Sequence, residues 1–354
     1  MPDGSTLCIQ MGWFVATYKD IQRRTGLSLA TISKYFNGKN ILEANRAAIE
    51  QAVLELNYRL NAVASNLRSG TSRTVGVLLP SLENGFHMSI VARAERLLRP
   101  SGISVIVSST EDEGPDSRAV DSLIGRMVDV IVAVPALEVI GALDAAIAAK
   151  VPVICVDWDP GQSEFDLVTI DNEAAGRLAT RHLLDHGHRR IGLIGGPGTI
   201  PSARGRVQGF SNALEQAGVR PEHALLTSVP LTVEHGRAAM HALLSLDDRP
   251  SAVFAVNAEL TIGAVIAINE SGLRLAHDIS MVGFDNSDIA QLTQPRLTIV
   301  AQPIDELAAA VAQLVLVRLE NPNAAPQHHR FSAKLAIGSS VSDVKMRTLA
   351  KRSL

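Results

Sequence analysis

Residues 74–109 read TVGVLLPSLENGFHMSIVARAERLLRPSGISVIVSS, and this stretch decides the fold class. Its two ends, TVGVLLP and ISVIVSS, are continuous apolar runs of the kind that strands buried on both faces require. The segment IVARAERLLRP between them is a predicted helix. A strand, a helix and a second strand in this order predict a βαβ unit with parallel strands.

The same alternation continues to residue 285. The further predicted strands are DVIVAVP, VPVICVD, RIGLIGG, SAVFAVN and SMVGFD, and the helical segments between them include VIGALDAAIAAK, EAAGRLATRHLLDHG, GRVQGFSNALEQAG, EHGRAAMHALLSL and ELTIGAVIAINESG. More than six such strands predict two doubly wound lobes. Because ligands of these folds bind at the carboxyl ends of the strands, the residues that follow each strand are the first candidates for a site.

Upstream of the first strand, residues 17–37 predict a helix-turn-helix. The segment TYKDIQRRTGLSLATISKYFN contains two short helices capped by Thr17 and Ser28, joined at Gly26, which suits a left-handed turn position. A third helix, ANRAAIEQAVLELNY, completes a small core. The predicted core side chains are Ile21, Ile32, Phe36, Ile49, Val53 and Leu56. The following stretch, RLNAVASNLRSGTSR, is predicted as a linker or a marginal helix.

Composition excludes several classes of protein. The chain has 354 residues, of which 46% are hydrophobic and 19% charged, so two or three folding units are expected. No apolar run approaches the roughly 18 residues that span a bilayer, and the first residues lack the pattern of a secretory signal. Cys8 and Cys155 are too few for a disulfide framework or a four-thiolate zinc site. We therefore predict a cytoplasmic protein.

Charge is distributed unevenly along the chain. The formal net charge is −3, but residues 1–73 hold nine Lys and Arg against five Asp and Glu, a balance of +4. The remainder therefore carries −7. A basic head on an acidic body indicates that only the head approaches the phosphates of nucleic acid.

Two motifs suggest other functions. GLIGGPG resembles a dinucleotide-binding turn, but it lies mid-chain and Pro197 interrupts it, whereas the true fingerprint opens a βαβ unit. His182, His186 and His188 have a spacing that suggests a metal, yet no glutamate follows the first histidine, and a role at the helix end is favoured. We predict no enzyme activity, no cofactor and no metal. A secreted binding protein with the same body would lack the head and carry a signal peptide.

From about residue 15 to residue 341 the chain resembles the LacI/GalR repressors. The motifs occur in the family's order and spacing: TYKDIQRRTGLSLATISKYFNGK, ELNYRLNAVASNLRSGTSRTVGVLLP, VTIDN, HLLDHGHRRIGLIGGP, SARGRVQGF and ISMVGFDNSDIA. The implied fold is α/β, with an N-terminal three-helix helix-turn-helix head and a two-lobed doubly wound periplasmic-binding-protein-like sensor domain. The implied division is an N-terminal extension (1–14), the head (15–59), a hinge helix or linker (60–73), a two-lobed effector-binding and dimerisation domain (74–341) and a basic tail (342–354).

The resemblance implies a homodimer whose heads bind the two half-sites of a pseudo-palindromic operator. The residues that it places at the major groove are Leu29, Ala30 and Thr31, with Ser33 and Lys34 nearby. Leu29 and Ala30 suit contacts with thymine methyl groups. The residues that it places at phosphates are Thr17, Ser28 and Asn37, which would fix register without reading sequence.

In the family the linker forms a hinge helix on operator DNA and inserts paired leucines into the minor groove. The matching residues here are Ala64 and Leu67, with Asn61 as the candidate N-cap. Without the family, the alternative for Leu67 is an apolar linker residue that packs on the body. Leu60 stands where the family usually has proline, so the start of this helix is less sharply defined.

Thirteen residues coincide with the family's effector positions. Asn84, Asp171 and Asn172 are three of them, and the ten taken as the predicted effector residues are Ser81, Phe86, His87, Asp157, Trp158, Ser202, Arg206, Leu231, Asn257 and Asp285. Arg206 and Asp285 would offer donors and an acceptor to vicinal hydroxyl groups, although Arg206 has an alternative role in an interlobe ion pair. Phe86 and Trp158 would supply flat apolar faces for a ring. These features favour a sugar-like effector.

A purine or nucleoside effector is the alternative. VDWDPGQSEFDLVTIDN resembles purine-responsive members, yet Ile200 and Leu231 replace the arginine and phenylalanine found there, Ala258 replaces an acidic residue frequent in sugar-binding members, and His87 replaces an aromatic residue. Effector binding is expected to move the lobes across the dimer and change operator affinity, as inducer or as corepressor. The tail lacks the leucine heptads of a tetramerising coil, so we predict a dimer.

Overall fold

The chain consists of two units in the computed structural model, Met1–Ser72 and Arg73–Leu354. The structure describes residues 16–36, 40–58, 71–110, 118–135, 137–158, 161, 164–219, 225–285 and 287–344. Within these ranges, no helix combines the length and apolarity that crossing a membrane demands.

The first unit contains three helices: α1 (Tyr18–Thr25), α2 (Leu29–Phe36) and α3 (Glu43–Glu55). Gly26 ends α1 with φ +71°, the left-handed conformation predicted for the turn. Ser28 caps α2, since its Oγ accepts a hydrogen bond from the backbone N–H of Thr31 at 3.2 Å. The predicted helix-turn-helix is therefore confirmed in both its helices and its turn.

One isoleucine from each helix forms the centre of this small core. Ile21, Ile32 and Ile49 are fully buried. The ring of Phe36 stacks on Tyr18 with 5.1 Å between ring centroids and lies 5.3 Å from the ring of Tyr58. Three helices too short to persist alone are held together by this apolar and aromatic contact.

The second unit contains two six-stranded sheets, and the first is wholly parallel. Its strands are β1 (Thr74–Leu79), β2 (Ser104–Ser109), β3 (Val130–Ala133), β4 (Val153–Val156), β5 (Asp166–Ile170) and β11 (His328–Phe331), in the order β11-β5-β4-β3-β1-β2. The helices of this lobe are α4 (Gly85–Leu98), α5 (Ala119–Gly125), α6 (Leu143–Ala148) and α12 (Ile304–Glu320), with short 3-10 turns at Arg99–Ser101 and Leu137–Ala142.

The second sheet repeats this order. Its strands are β6 (Ile191–Gly195), β7 (Leu226–Ser228), β8 (Ala252–Ala255), β9 (Ser280–Phe284), β10 (Thr298–Ala301) and β12 (Lys334–Ala336), arranged as β12-β10-β9-β8-β6-β7. Only β12 is antiparallel among the pairs of this sheet within the described residues. The helices of this lobe are α7 (Asn172–Asp185), α8 (Pro201–Gln216), α9 (Val233–Leu244), α10 (Ala258–Glu270) and α11 (Ser287–Leu292).

Each of the seven predicted strands contains one of the observed strands. The five strands that were not predicted are β5, β7, β10, β11 and β12. β11, with the sequence HHRF, is an edge strand that pairs only with β5 in the described structure, and its side chains alternate between exposed and half-buried. A short polar edge strand lacks the continuous apolar run by which the other strands were recognised.

The chain passes from one lobe to the other three times, after β5, after β10 and after β11. α12 returns to the first lobe, where the buried guanidinium of Arg318 donates to both carboxylate oxygens of Asp166, at 2.6 and 2.9 Å. Arg318 also donates to the carbonyl oxygens of Pro322 and Ala324. This fully satisfied buried ion pair fixes the returning helix to the first residue of β5.

Glycines bring α7 and α8 into backbone contact. A Cβ atom added at Gly209 would lie 2.0 Å from the carbonyl oxygen of Glu173, and one added at Gly176 would lie 2.0 Å from that of Arg206. No other residue type fits between these backbones without moving one helix. The contact therefore sets the position of Arg206.

We expect Gly209→Ala to lower the free energy of unfolding by about 1–3 kcal/mol, because the new methyl group forces α7 and α8 apart. Urea unfolding followed by circular dichroism measures the change. Gly125→Ala is the matched control, since nothing lies within 4 Å of a Cβ at that helical glycine. Equal free energies of unfolding for Gly209→Ala and Gly125→Ala would contradict the backbone contact between α7 and α8.

Candidate functional site

A cavity of about 400 Å³ lies beside the carboxyl ends of strands from both sheets of the second unit. This volume is at the lower end of the range for small-molecule sites. Nine of the ten predicted effector residues line it: Phe86, His87, Asp157, Trp158, Ser202, Arg206, Leu231, Asn257 and Asp285. Parallel strands in two similarly wound sheets therefore bring together side chains almost 200 positions apart in sequence.

Ser81 is the predicted effector residue that does not line the cavity. Its Oγ instead accepts a hydrogen bond from the backbone N–H of Glu83 at 3.2 Å. The wall at this point is formed by Pro80 and Asn84, and Asn84 caps α4 by accepting from the N–H of His87 at 3.0 Å. Ser81 stabilises the turn before α4, which directs its neighbours toward the cavity.

Arg206 is the central cation of the cavity, and it is only 5% exposed. Its Nε donates to Asn172 Oδ1 at 2.9 Å, and its Nη1 donates to the carbonyl oxygen of Val256 at 2.8 Å. The guanidinium carbon lies 3.7 Å from the centroid of the Phe284 ring, in a cation–π contact. Burial lowers the pKa of Arg206, while three cavity carboxylates act in the opposite direction, and the side chain remains a cation.

Arg206 makes no ion pair within 4.0 Å of a carboxylate in the described part of the chain. The alternative role of Arg206 in an interlobe ion pair is therefore not observed among the described residues. Its described hydrogen bonds go to neutral oxygens, so its positive charge stays available to the cavity.

Asp285 follows β9 in a left-handed conformation with φ +51°. Its backbone N–H donates to Val300, and its carboxylate accepts from the backbone N–H and the side-chain amide of Gln302. Burial raises the pKa of Asp285 to about 6, although Arg206 and Gln302 both act to lower it. The carboxylate is thus fixed by these hydrogen bonds and is mostly ionised above about pH 6.

Asp157 is the counterpart of Asp285 in the other lobe. It follows β4, which has the same place in its sheet as β9 has in the other, and it shares the left-handed backbone, with φ +58°. Its backbone N–H donates to Val168 at 3.0 Å, and its carboxylate lies 3.4 Å from His87 Nε2. Two equivalent positions therefore present one carboxylate from each lobe.

Two buried polar atoms in the cavity wall have no hydrogen-bond partner among the described residues. They are His87 Nδ1 and Gln302 Oε1. Such atoms cost free energy unless a ligand or water satisfies them. The cavity is therefore built for a polar ligand as well as for the apolar contacts of Phe86 and Trp158.

Several wall residues were not predicted from the sequence. They are Pro80, Val134, Pro135, Pro197, Thr199, Glu259 and Gln302. Pro80, Val134 and Pro135 lie inside the predicted strands TVGVLLP and DVIVAVP, and they follow only the shorter observed strands β1 and β3. The expectation that site residues follow each strand covers Pro197, which comes directly after the predicted strand RIGLIGG. It would not have found Gln302, since β10 was not predicted, or Glu259, which lies in the first turn of α10 and accepts a hydrogen bond from Asn257 Nδ2.

In the first unit, six of the predicted DNA-contacting residues lie on α2 or directly before it, and Thr17 directly precedes α1. Ser28, Leu29, Ala30 and Lys34 are exposed, and Leu29 is 40% exposed despite its apolar side chain. Thr31 and Ser33 are half-buried, and the Thr31 hydroxyl is hydrogen-bonded to Ser28 Oγ at 2.9 Å. Thr17 bonds the carboxylate of Asp20 at the start of α1. Asn37, Asn61, Ala64 and Leu67 lie outside the described residues.

The histidines considered as metal ligands have local contacts instead. His186 Nδ1 lies 2.8 Å from the carbonyl oxygen of His182 at the end of α7. The buried His188 lies 2.8 Å from Ser251 Oγ. Among the described residues there is no group of three or more His, Cys, Asp or Glu suited to a metal ion.

Known proteins resemble this chain over most of its length. Residues 180–341 match the periplasmic binding protein-like domain. The HTH-type transcriptional repressor PurR of Pasteurella multocida is 31% identical over 86% of this chain and 92% of its own. The lac repressor dimer bound to operator and the anti-inducer ONPF matches with a TM-score of 0.83 at 27% identity, covering 93% and 99% of the two chains. A LacI family transcriptional regulator from Enterococcus faecium with bound ribose matches with a TM-score of 0.69 at 27% identity, covering 77% and 99%.

The raised pKa of Asp285 predicts a pH-dependent stability difference between the wild type and Asp285→Asn. The unfolded carboxyl ionises near 3.8, whereas the folded one keeps its proton to about 6, so rising pH destabilises the folded wild type across this window. The asparagine variant cannot ionise. Its free energy of unfolding, relative to the wild type, should rise by up to roughly 3 kcal/mol between pH 4 and pH 7.

Urea unfolding at several pH values measures this difference, and Asp278→Asn is the control. Burial acts to raise the pKa of Asp278, but hydrogen bonds from Arg274 and His277 outweigh it and lower the pKa to about 2. The Asp278→Asn variant should therefore lose stability relative to the wild type as pH rises from about 2 to about 4. A pH-independent difference for Asp285→Asn would contradict the assignment.

Proposed function

The chain belongs to the LacI family of transcriptional regulators, and we propose that it is a repressor whose operator affinity is controlled by a small, sugar-like molecule. One observation carries this proposal: the cavity combines the buried Arg206 and the half-buried Asp285 with the flat side chains of Phe86 and Trp158. Charged donors and acceptors beside an aromatic wall suit the hydroxyl groups and the apolar ring face of a sugar.

The DNA-binding surface is proposed to be formed by α2 and by Ser28 directly before it. Leu29 and Ala30 would contact bases, and Thr31, Ser33 and Lys34 would lie beside them in the major groove. Thr17, Ser28 and Asn37 would bind phosphates and fix the register. The exposed Leu29 supports this surface, because DNA would remove its apolar side chain from water.

The hinge, residues 60–73, is proposed to join the head to the sensor domain of residues 74–341. Ala64 and Leu67 would enter the minor groove at the centre of the operator, where an apolar wedge opens a base step. Two heads must bind two half-sites, so we propose a homodimer on a pseudo-palindromic operator. The protein would work in the cytoplasm, where its DNA is, and would catalyse no reaction.

A sugar fits the cavity better than a purine or nucleoside does. Ile200 and Leu231 present apolar side chains at the wall, so the donors that a purine needs on its polar edges are absent from these two positions. The solved regulator from Enterococcus faecium, similar in fold, contains ribose. Trp158 is the residue that favours a purine, since an indole stacks on any flat ring.

Operator footprinting with the full-length protein tests the proposed function. We expect protection of a pseudo-palindromic site in the promoter nearest the coding region, and a shift in operator affinity of about 5–150-fold with the correct sugar. Arg206→Gln should keep the footprint and lose the response, whereas Arg204→Gln, on the same helix but outside the described cavity wall, should keep both. If no palindrome is protected, the repressor assignment fails.

We expect Leu67→Ala to weaken specific operator binding at least about tenfold, because the shortened side chain cannot open the central base step. Binding to random DNA, which depends on phosphate contacts, should change little. Leu54→Ala is the control, since Leu54 is a leucine of the first unit that is 82% exposed and has no proposed DNA contact. Unchanged specific affinity of Leu67→Ala in titrations of labelled operator would refute the wedge.

A further inference from the structure

Carboxylates outnumber cations in the cavity. Asp157, Glu259 and Asp285 line it together with the single guanidinium of Arg206, so the described wall carries a formal charge of −2 when His87 is neutral. Even a protonated His87, which lies beside Asp157, would leave one negative charge in excess. An unliganded protein bears this imbalance as mutual repulsion in a partly dehydrated space.

We infer that the effector is a polyhydroxylated molecule carrying a protonated amine, such as an amino sugar, and that anionic sugar derivatives are excluded. This inference rests on the proposed function, because it names the chemical class of ligand for the same cavity. A cationic group on the ligand compensates the excess carboxylates, whereas a carboxylate or phosphate group adds to the repulsion.

The excess of negative charge is not neutralised by direct contact, because Arg206 forms no ion pair with a carboxylate among the described residues. Its described hydrogen bonds go to Asn172 and to the backbone of Val256, and the ring of Phe284 covers one face. Burial lowers the pKa of Arg206, and Asp157, Asp285 and Glu259 all act to raise it. Arg206 is therefore the only strong cation in the described wall, and all three carboxylates are within electrostatic range of it.

The hydroxyl-binding part of the inference rests on Gln302. This residue is 7% exposed and lines the cavity, and its Oε1 has no hydrogen-bond partner among the described residues while its amide nitrogen donates to Asp285. A buried acceptor next to a carboxylate acceptor calls for a donor from the ligand. Hydroxyl and ammonium groups donate, whereas ionised acids do not.

Isothermal titration of the full-length protein with matched sugars tests this inference. Three series share one carbon skeleton each: glucose, glucosamine and glucuronate; galactose, galactosamine and galacturonate; mannose, mannosamine and mannuronate. In the series that binds, the dissociation constant of the amine should be at least about tenfold lower than that of the neutral sugar, and that of the acid at least about tenfold higher. The same ligands are added to the operator footprint.

Glu259→Gln isolates the charge effect, since glutamine keeps an acceptor for Asn257 and removes one negative charge. The preference for amine over neutral sugar, measured as the ratio of their dissociation constants, should fall at least about threefold. Glu234→Gln is the control, because Glu234 is likewise in the first turn of a helix but is exposed outside the described cavity wall. Glu234→Gln should keep the full preference.

Each outcome separates the inference from the proposed function. A neutral sugar that binds and changes the footprint, with an amine that binds no tighter, overturns the inference and leaves the repressor intact. A sugar acid that binds as tightly as the amine also overturns the inference and leaves the repressor assignment intact. Operator protection with no binding in any series also overturns the inference. Absence of both ligand binding and operator protection overturns the proposed function, and the inference with it.

Discussion

The buried guanidinium of Arg206 is the constraint on which the cavity depends. A charge removed from water must be surrounded by oxygens, by opposite charge or by an aromatic face. Here these come from Asn172 at the start of α7, Val256 after β8 and Phe284 at the end of β9. One side chain thus connects a helix start and two strand ends of the same lobe.

That constraint extends into the packing of the helices. Arg206 lies on α8, whose distance from α7 is set by glycines that allow backbone contact. The motif SARGRVQGF therefore has two functions at once, since Gly209 faces the neighbouring helix while Arg206 faces the cavity. Substitution of Gly176 or Gly209 is therefore expected to shift Arg206, although neither glycine lines the described cavity.

Each lobe contributes one carboxylate to the cavity, and the local backbone geometry is the same in both. Asp157 and Asp285 each follow a strand in equivalent places, each turns through a left-handed backbone, and each is held by a hydrogen bond to the neighbouring strand. A ligand that bonds to both carboxylates is bound to both lobes at once. Since three chain crossings join the lobes, such a ligand can favour one relative placement over another, which is what a controlled repressor requires.

Local patterns in the chain were sufficient for seven of the strands and for the helix-turn-helix, because apolar runs and capping residues are properties of short segments. The nine cavity residues were instead predicted from the resemblance to the LacI/GalR repressors. Strand β11 exists only because β5 lies beside it, and Asp166 is buried only because Arg318, distant in sequence, pairs with it. Gln302 and Glu259 likewise line the cavity because the fold brings together segments that are distant in sequence. Pairing, burial of charge and the balance of carboxylates against one guanidinium arise between distant segments, so they were decided by the folded arrangement and not by any single stretch of sequence.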